Sequence, residues 1–244
     1  PLFRMILRLI RHCFVGFTLL SMFSAEAGQL DLTGPAGSGS FGVIVTALPN
    51  GNFIVTDPGY DAPGPIADVG AIYLYDGATL DVISVLTGST ANDNIGIAEG
   101  MDGITVLPNG NFVVRSGNWN GNRGAATWVS GTSGISGAVS SSNSLVGSTA
   151  NDQVGNGGIT ALPNGNYVVL SSNWHHGGTA NEGAVTWGSG ATGVVGAVSS
   201  SNSLVGSTAD DQVGSRGISG LLNGNYVVLS PDWDSGSIAN VGAA

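Results

Sequence analysis

The sequence predicts an all-β chain of small antiparallel sheets laid face against face. Three observations carry this. Glycine makes up 41 of 244 residues, more than twice the usual ~7%, and glycine at that density disfavours helices. A Leu-Pro-Asn-Gly-Asn turn recurs along the chain, and strongly apolar strings such as YVVL and FVV lie beside it.

The first element is a leader. Arg4, Arg8 and Arg11 flank the apolar run Cys13 to Phe23, and Ala25-Glu26-Ala27 follows. A basic segment, an apolar segment and a small-x-small site describe a secretory signal peptide, here 1–27. The run is too short to cross a ~30 Å hydrocarbon core, so residues 28–244 are expected to be secreted or on the cell surface. Cys13 leaves with the leader, which removes thiol and disulfide chemistry. The chain opens at Pro1 with Met5 as the first available start, as expected of a fragment or of an imprecise gene call. Lys is absent, and losing three Arg and Glu26 takes the formal charge two units below −10. Nucleic-acid binding requires cations to neutralise phosphate, so that class is excluded, as is attraction to an anionic membrane.

The repeat comes next. ALPNGNF (47–53), VLPNGNF (106–112), ALPNGNY (161–167) and LLNGNY (221–226) place Asn50, Asn109, Asn164 and Asn223 at intervals of 59, 55 and 59 residues. Pro presets the turn and Gly supplies a positive φ, so each motif joins two strands. In the third copy Gly183–Trp187 is expected as a third strand and Gly193–Val198 as a fourth. SSSNSLVGSTADDQVG then links to the next copy. That linker is almost duplicated: VSSSNSLVGSTANDQVG (139–155) and VSSSNSLVGSTADDQVG (198–214) differ only at Asn151 against Asp210. The hairpin strands are apolar on both faces, so each sheet must pack against copies of itself. A β-propeller satisfies this with four-stranded antiparallel blades of about 55–60 residues, at about 41–99, 100–155, 156–214 and a truncated 215–244. A β-solenoid of short rungs is the alternative. The last copy stops within its third strand, so further blades or another chain are expected to complete the ring.

The first copy resembles the FG-GAP repeat of integrin-α-type propellers. Phe41-Gly42 matches the FG position, Asp57-Pro58-Gly59 a degenerate GAP, and Gly70-Ala71-Ile72-Tyr73-Leu74-Tyr75-Asp76-Gly77 the tyrosine strand. Later copies drift, with Gly157-Gly158 and Arg216-Gly217 at the FG position, and are similar to repeats of large bacterial secreted or haemagglutinin-like surface proteins. The resemblance implies a propeller and adhesion. It also implies calcium held in an acidic hairpin loop, but here that turn is PNGN and lacks the acidic ladder.

The chemistry of the remaining residues points away from catalysis. No Lys or mature Cys is present for Schiff-base, P-loop or thiol mechanisms, and no G-x-S-x-G occurs. GSGSFG (37–42) and GSGATG (188–193) precede strands, not helices, and do not signal a dinucleotide. His175 and His176 occur in one copy, either as metal ligands or as a solvated loop. Asp93, Asp152 and Asp211 sit at matching places in the linkers. They are the candidate Ca²⁺ ligands, with Asn92 and Asn151 nearby, or else they bond the backbone of their own turns. Trp119, Trp174 and Trp233, beside Asn118, Asn173 and Asp232, are candidates for stacking on a glycan, or alternatively cap each blade.

The function expected is non-enzymatic recognition of a glycan or protein by loops that a rigid scaffold holds in place. The rivals are a structural spacer within a larger surface protein and a glycan-active hydrolase or lyase using two of Asp61, Asp68 and Asp102.

Overall fold

In every repeat the Asn-Gly turn closes a hairpin. In the second, Gly110 N donates to Leu107 O at 2.9 Å and Leu107 N to Asn111 O at 2.8 Å. Gly110 sits at φ 85°, a left-handed conformation that glycine adopts without a steric penalty. The computed structural model describes residues 30–64, 66–97 and 103–244. The leader expected at 1–27, and Asp102, lie outside the described residues.

The chain is all-β. The first repeat contributes β1 (Val45–Ala47), β2 (Phe53–Asp57), β3 (Ala71–Tyr75) and β4 (Val82–Thr87). The second contributes β5 (Ile104–Val106), β6 (Phe112–Ser116), β7 (Ala125–Val129), β8 (Gly137–Ala138) and β9 (Leu145–Val146). In the third lie β10 (Gly158–Ala161), β11 (Tyr167–Ser171), β12 (Ala184–Gly188), β13 (Gly196–Ala197) and β14 (Ser203–Val205), and in the fourth β15 (Ile218–Gly220) and β16 (Tyr226–Val228). Within each repeat the pairing is antiparallel, as in β10-β11-β12-β14, which is the hairpin order expected and not a coil of short parallel rungs. None of the described sheets closes on itself. Trp119–Asn122 forms a single helical turn interrupted by left-handed Asn120 and Gly121.

The fourth strand is not where the sequence reading placed it. In the third repeat it is β14, inside the segment assigned to the linker, while Gly196-Ala197 crosses to the preceding sheet and pairs in parallel with β9. Gly137-Ala138 does the same to β4. Short strands with an apolar residue beside them do not declare their partner. What each crossing segment buries is the next residue, Val139 at 1% exposure and Val198 at 3%. Full burial of a valine is worth about 1.5–3 kcal/mol.

Side chains alternate between faces along a strand, and both faces are used. Phe112 and Val114 of β6 join Ile54, Ile72 and Leu74 of the first repeat in one core. Val113 points the other way and clusters with Tyr167 and Val169 of the third. Val168 and Leu170 in turn meet Val228 of the fourth. Successive sheets thus lie face against face, each hiding the apolar side of its neighbour. The outer face of the first sheet carries an aromatic layer: Phe41 meets Tyr73 edge-on at 5.6 Å and Phe53 stacks on Tyr75 at 5.1 Å. Ser40 N, donating to Asp57 Oδ1 at 2.7 Å, holds the preceding segment in place.

Candidate functional site

The side chains singled out by their recurrence converge at the boundaries between repeats. After the fourth strand the chain turns through Ser-Thr-Ala-Asn/Asp-Asp. The last Asp is buried in each case, with Asp93, Asp152 and Asp211 all at 1% exposure or less. Asp93 Oδ2 accepts from Ser89 N and Thr90 N, both at 2.7 Å. Its Oδ1 accepts from Thr90 Oγ1 at 2.6 Å and, across the boundary, from Asn120 N at 2.7 Å. Asp152 accepts from Ser148 N, Thr149 N and the next repeat's His175 N. Asp211 accepts from Ser207 N, Thr208 N and Asp234 N. One carboxylate therefore closes its own turn and ties down the residue after the next repeat's tryptophan.

For Asp211 burial pushes the carboxyl up, but the bonds from Thr208 Oγ1, Ser207 N, Asp234 N and Thr208 N outweigh it and hold the group at about 2. Hydrogen bonds to the charged form act in that direction. A carboxylate has roughly four lone-pair sites, and N–H and O–H donors engage them here. Among the described residues no group of three or more His, Cys, Asp or Glu side chains gathers in one place.

The tryptophans occupy the adjoining cores. Trp119 is 6% exposed and joins the first-to-second core, with Nε1 donating to Ser89 Oγ at 2.9 Å. Trp174 is 2% exposed in the next core, and Trp233 packs partly buried against the one after. Their neighbours Asn173 and Asp232 bond the preceding linker, Asn173 Nδ2 donating to Gln153 Oε1 and Asp232 Oδ2 accepting from Ser215 Oγ. Asn118 accepts Asn122 N through its carbonyl in the helical turn.

A second fastening was not foreseen. Asn109 Nδ2 and Asn111 Nδ2 both donate to the carbonyl of Gly190 in the next repeat, at 2.7 and 2.8 Å. Gly190 N donates to Asn166 Oδ1 at 3.0 Å. Asn50 and Asn52 hold Gly131 in the same way. A β-carbon at Gly190 would land on the carbonyl oxygen of Gly165. The signal was present, since Asn stands on both sides of the turn glycine in all four copies, but turn chemistry explained it already.

What differs between copies is the loop joining the second and third strands. In the third repeat His175 Nδ1 lies 3.2 Å from Asp152 Oδ1 and His176 Nδ1 lies 3.7 Å from Glu182 Oε2. The His176 ring stacks on Trp174 at 5.6 Å. His176–Gly178 is exposed, as is the stretch 235–240 in the fourth repeat. In the first, Asp68 N donates to Asp61 Oδ1 at 2.8 Å. A polar cleft of ≈ 460 Å³ runs between β5 and β10. No described helix is long and apolar enough to cross a membrane.

The profile of a family described as a repeat of unknown function, DUF5650, matches residues 47–97, 106–156, 161–215 and 220–244. The match establishes a four-fold repeat and does not extend to the FG-GAP repeats that the first copy resembles. No curated protein matches the chain.

Proposed function

Because the chain belongs to the DUF5650 repeat family, whose units here stack sheet upon sheet, we propose that it is a non-enzymatic scaffold, exported to the cell surface, that recognises a glycan or protein. The sheets are read as blades of a β-propeller, and recognition falls to the loops between second and third strands. One observation carries this reading. The recurring Asp, Trp and Asn side chains are engaged between repeats, so the freedom to vary lies in those exposed loops, as HHGGTANEG against NGNRG illustrates. Loops held at fixed spacing on a rigid frame suit several weak contacts made together.

The test is to screen the intact chain, with and without Ca²⁺, against glycan and protein arrays. A variant whose 175–183 loop is replaced by NGNRG of the second repeat is screened in parallel. Binding that the exchange removes, with the unfolding midpoint unchanged, supports recognition. Absence of any ligand favours the second reading, a structural spacer, which rests on the burial of Trp119 and Trp174 at 6% and 2% exposure.

A further inference from the structure

Asn-Gly occurs six times in the sequence, at 50–51, 109–110, 120–121, 156–157, 164–165 and 223–224. Such a pair can react with itself, the glycine nitrogen attacking the asparagine carboxamide carbon. The step needs an unbonded glycine N–H and a side chain free to swing. The fold withholds both from five of the pairs. Gly51, Gly110, Gly165 and Gly224 each donate N–H to the leucine carbonyl that opens their turn, and Gly157 donates to Leu170 O. The asparagine side chains are engaged as well. Asn50, Asn109 and Asn164 reach the next repeat, Asn156 Nδ2 donates to Ser172 Oγ, and Asn223 Oδ1 accepts Asn225 N.

Asn120-Gly121 is the exception. Among the described residues neither the Asn120 side chain nor Gly121 N makes a hydrogen bond. Gly121 is exposed, and a β-carbon placed there would meet only Arg123 Nη1, at 3.6 Å. Asn120 N is anchored to Asp93 Oδ1, which leaves the side chain beyond it loose. Arg123 Nη1 donates to Asn120 O at 2.6 Å. That oxygen belongs to the peptide unit whose N–H must ionise before it can attack. A guanidinium is always charged, and an opposite charge favours the ionised form of its neighbour, so Arg123 stabilises the amidate.

We propose that Asn120-Gly121 is a self-modification site at which the loop deamidates, with Arg123 promoting the attack. Hydroxide takes the Gly121 proton, the bond from Gly121 N to Asn120 Cγ forms, and the bond from Cγ to Nδ2 breaks. Nδ2 leaves as ammonia with a proton from water. A second water opens the succinimide ring at either carbonyl, giving aspartate or isoaspartate. The loop thereby exchanges a neutral amide for a carboxylate. Aspartate already stands at the matching place in the fourth repeat, where Asp234 Oδ1 accepts Asn240 N at 2.7 Å. The inference does not depend on any ligand of the loops.

The experiment incubates the folded full chain at mildly alkaline pH and follows all six pairs by mass-spectrometric peptide mapping. The same chain unfolded in urea runs in parallel. Asn120 should convert at least about tenfold faster than any other pair in the folded chain, since the others must first break hydrogen bonds. In urea the six should converge. Arg123→Gln should slow Asn120 by at least about threefold, through loss of a charge-assisted bond, and leave the other five rates unchanged. A hairpin pair converting as fast as Asn120 in the folded chain would overturn the proposal. So would the same preference for Asn120 in urea, because flanking sequence and not the fold would then select it. An Asn120 rate in Arg123→Gln equal to the parent's, or above it, would overturn the part assigned to Arg123.

Discussion

Asn109 donates from Nδ2 to the carbonyl oxygen of Gly190 at 2.7 Å, although 81 residues separate the two in sequence. The bond joins the hairpin tip of one repeat to the turn after the third strand of the next. It makes the Asn-Gly-Asn motif both a turn and a fastening. Asn109 Oδ1 also accepts Asn111 N at 3.1 Å, and Asn223 Oδ1 accepts Asn225 N in the same local way at 3.0 Å.

Comparing Asn109→Ala with Asn223→Ala therefore isolates the bond between repeats. A net intramolecular hydrogen bond is worth about 0.5–1.5 kcal/mol. Asn109→Ala should cost about 1 kcal/mol more than Asn223→Ala in urea unfolding. Equal losses would mean that the local turn bond is all that the asparagine contributes.

That fastening shows where sequence reading stops. The hairpins were legible because Pro-Asn-Gly between β-branched runs has a local cause, and β12 (Ala184–Gly188) was legible for the same reason. Face-to-face stacking followed from YVVL-type strings, whose Val168 and Val169 look to opposite neighbours. The partner of Gly196-Ala197 was not legible, since the two-residue strand pairs with a sheet of the preceding repeat. Trp119 and Trp174 could be read as packing or as contact surfaces. Only placement shows their rings within cores.

Trp174 and Trp187 differ in setting, the first 2% exposed and the second 44%. Trp174→Ala empties part of the core between the second and third repeats and should cost about 3–5 kcal/mol. Trp187→Ala leaves a half-exposed site and should cost less than about 1 kcal/mol. Chemical denaturation of the two variants side by side decides the matter. Similar midpoints would remove the tryptophan from the account of how repeats adhere.

Stability should fall at both extremes of pH, for opposite reasons. Asp211 is held at about 2, below its ordinary 3.8, so the folded state favours the charged form. Its contribution is complete above pH 3.8 and disappears as pH falls through about 2. Tyr167 is pushed by burial from 10.0 up to about 12. Its contribution is complete below pH 10.0 and disappears as pH rises through about 12. Thermal midpoints across pH should show both declines, and Asp211→Asn should flatten the acid one. An acid limb unchanged in that variant would show that Asp211 is not the group responsible.

The one difference between the duplicated linkers, Asn151 against Asp210, falls where the backbone permits it. Asn151 has φ 68° and Asp210 φ 65°, a left-handed conformation that costs most L-residues about 1–2 kcal/mol and that Asn and Asp tolerate. Each also offers Oδ1 to an Asn of the preceding loop: Asn122 reaches Asn151 at 3.4 Å and Asn181 reaches Asp210 at 2.9 Å. The two residues are thus interchangeable in both backbone and bonding. Asn151→Asp should change stability by less than about 0.5 kcal/mol, whereas Asn151→Val combines left-handed strain with a lost acceptor and should cost about 1–2 kcal/mol. Equilibrium unfolding distinguishes them. A valine tolerated at 151 would mean that the linker does not need its left-handed turn, and that the near-identity of the two stretches has a cause other than the backbone they share.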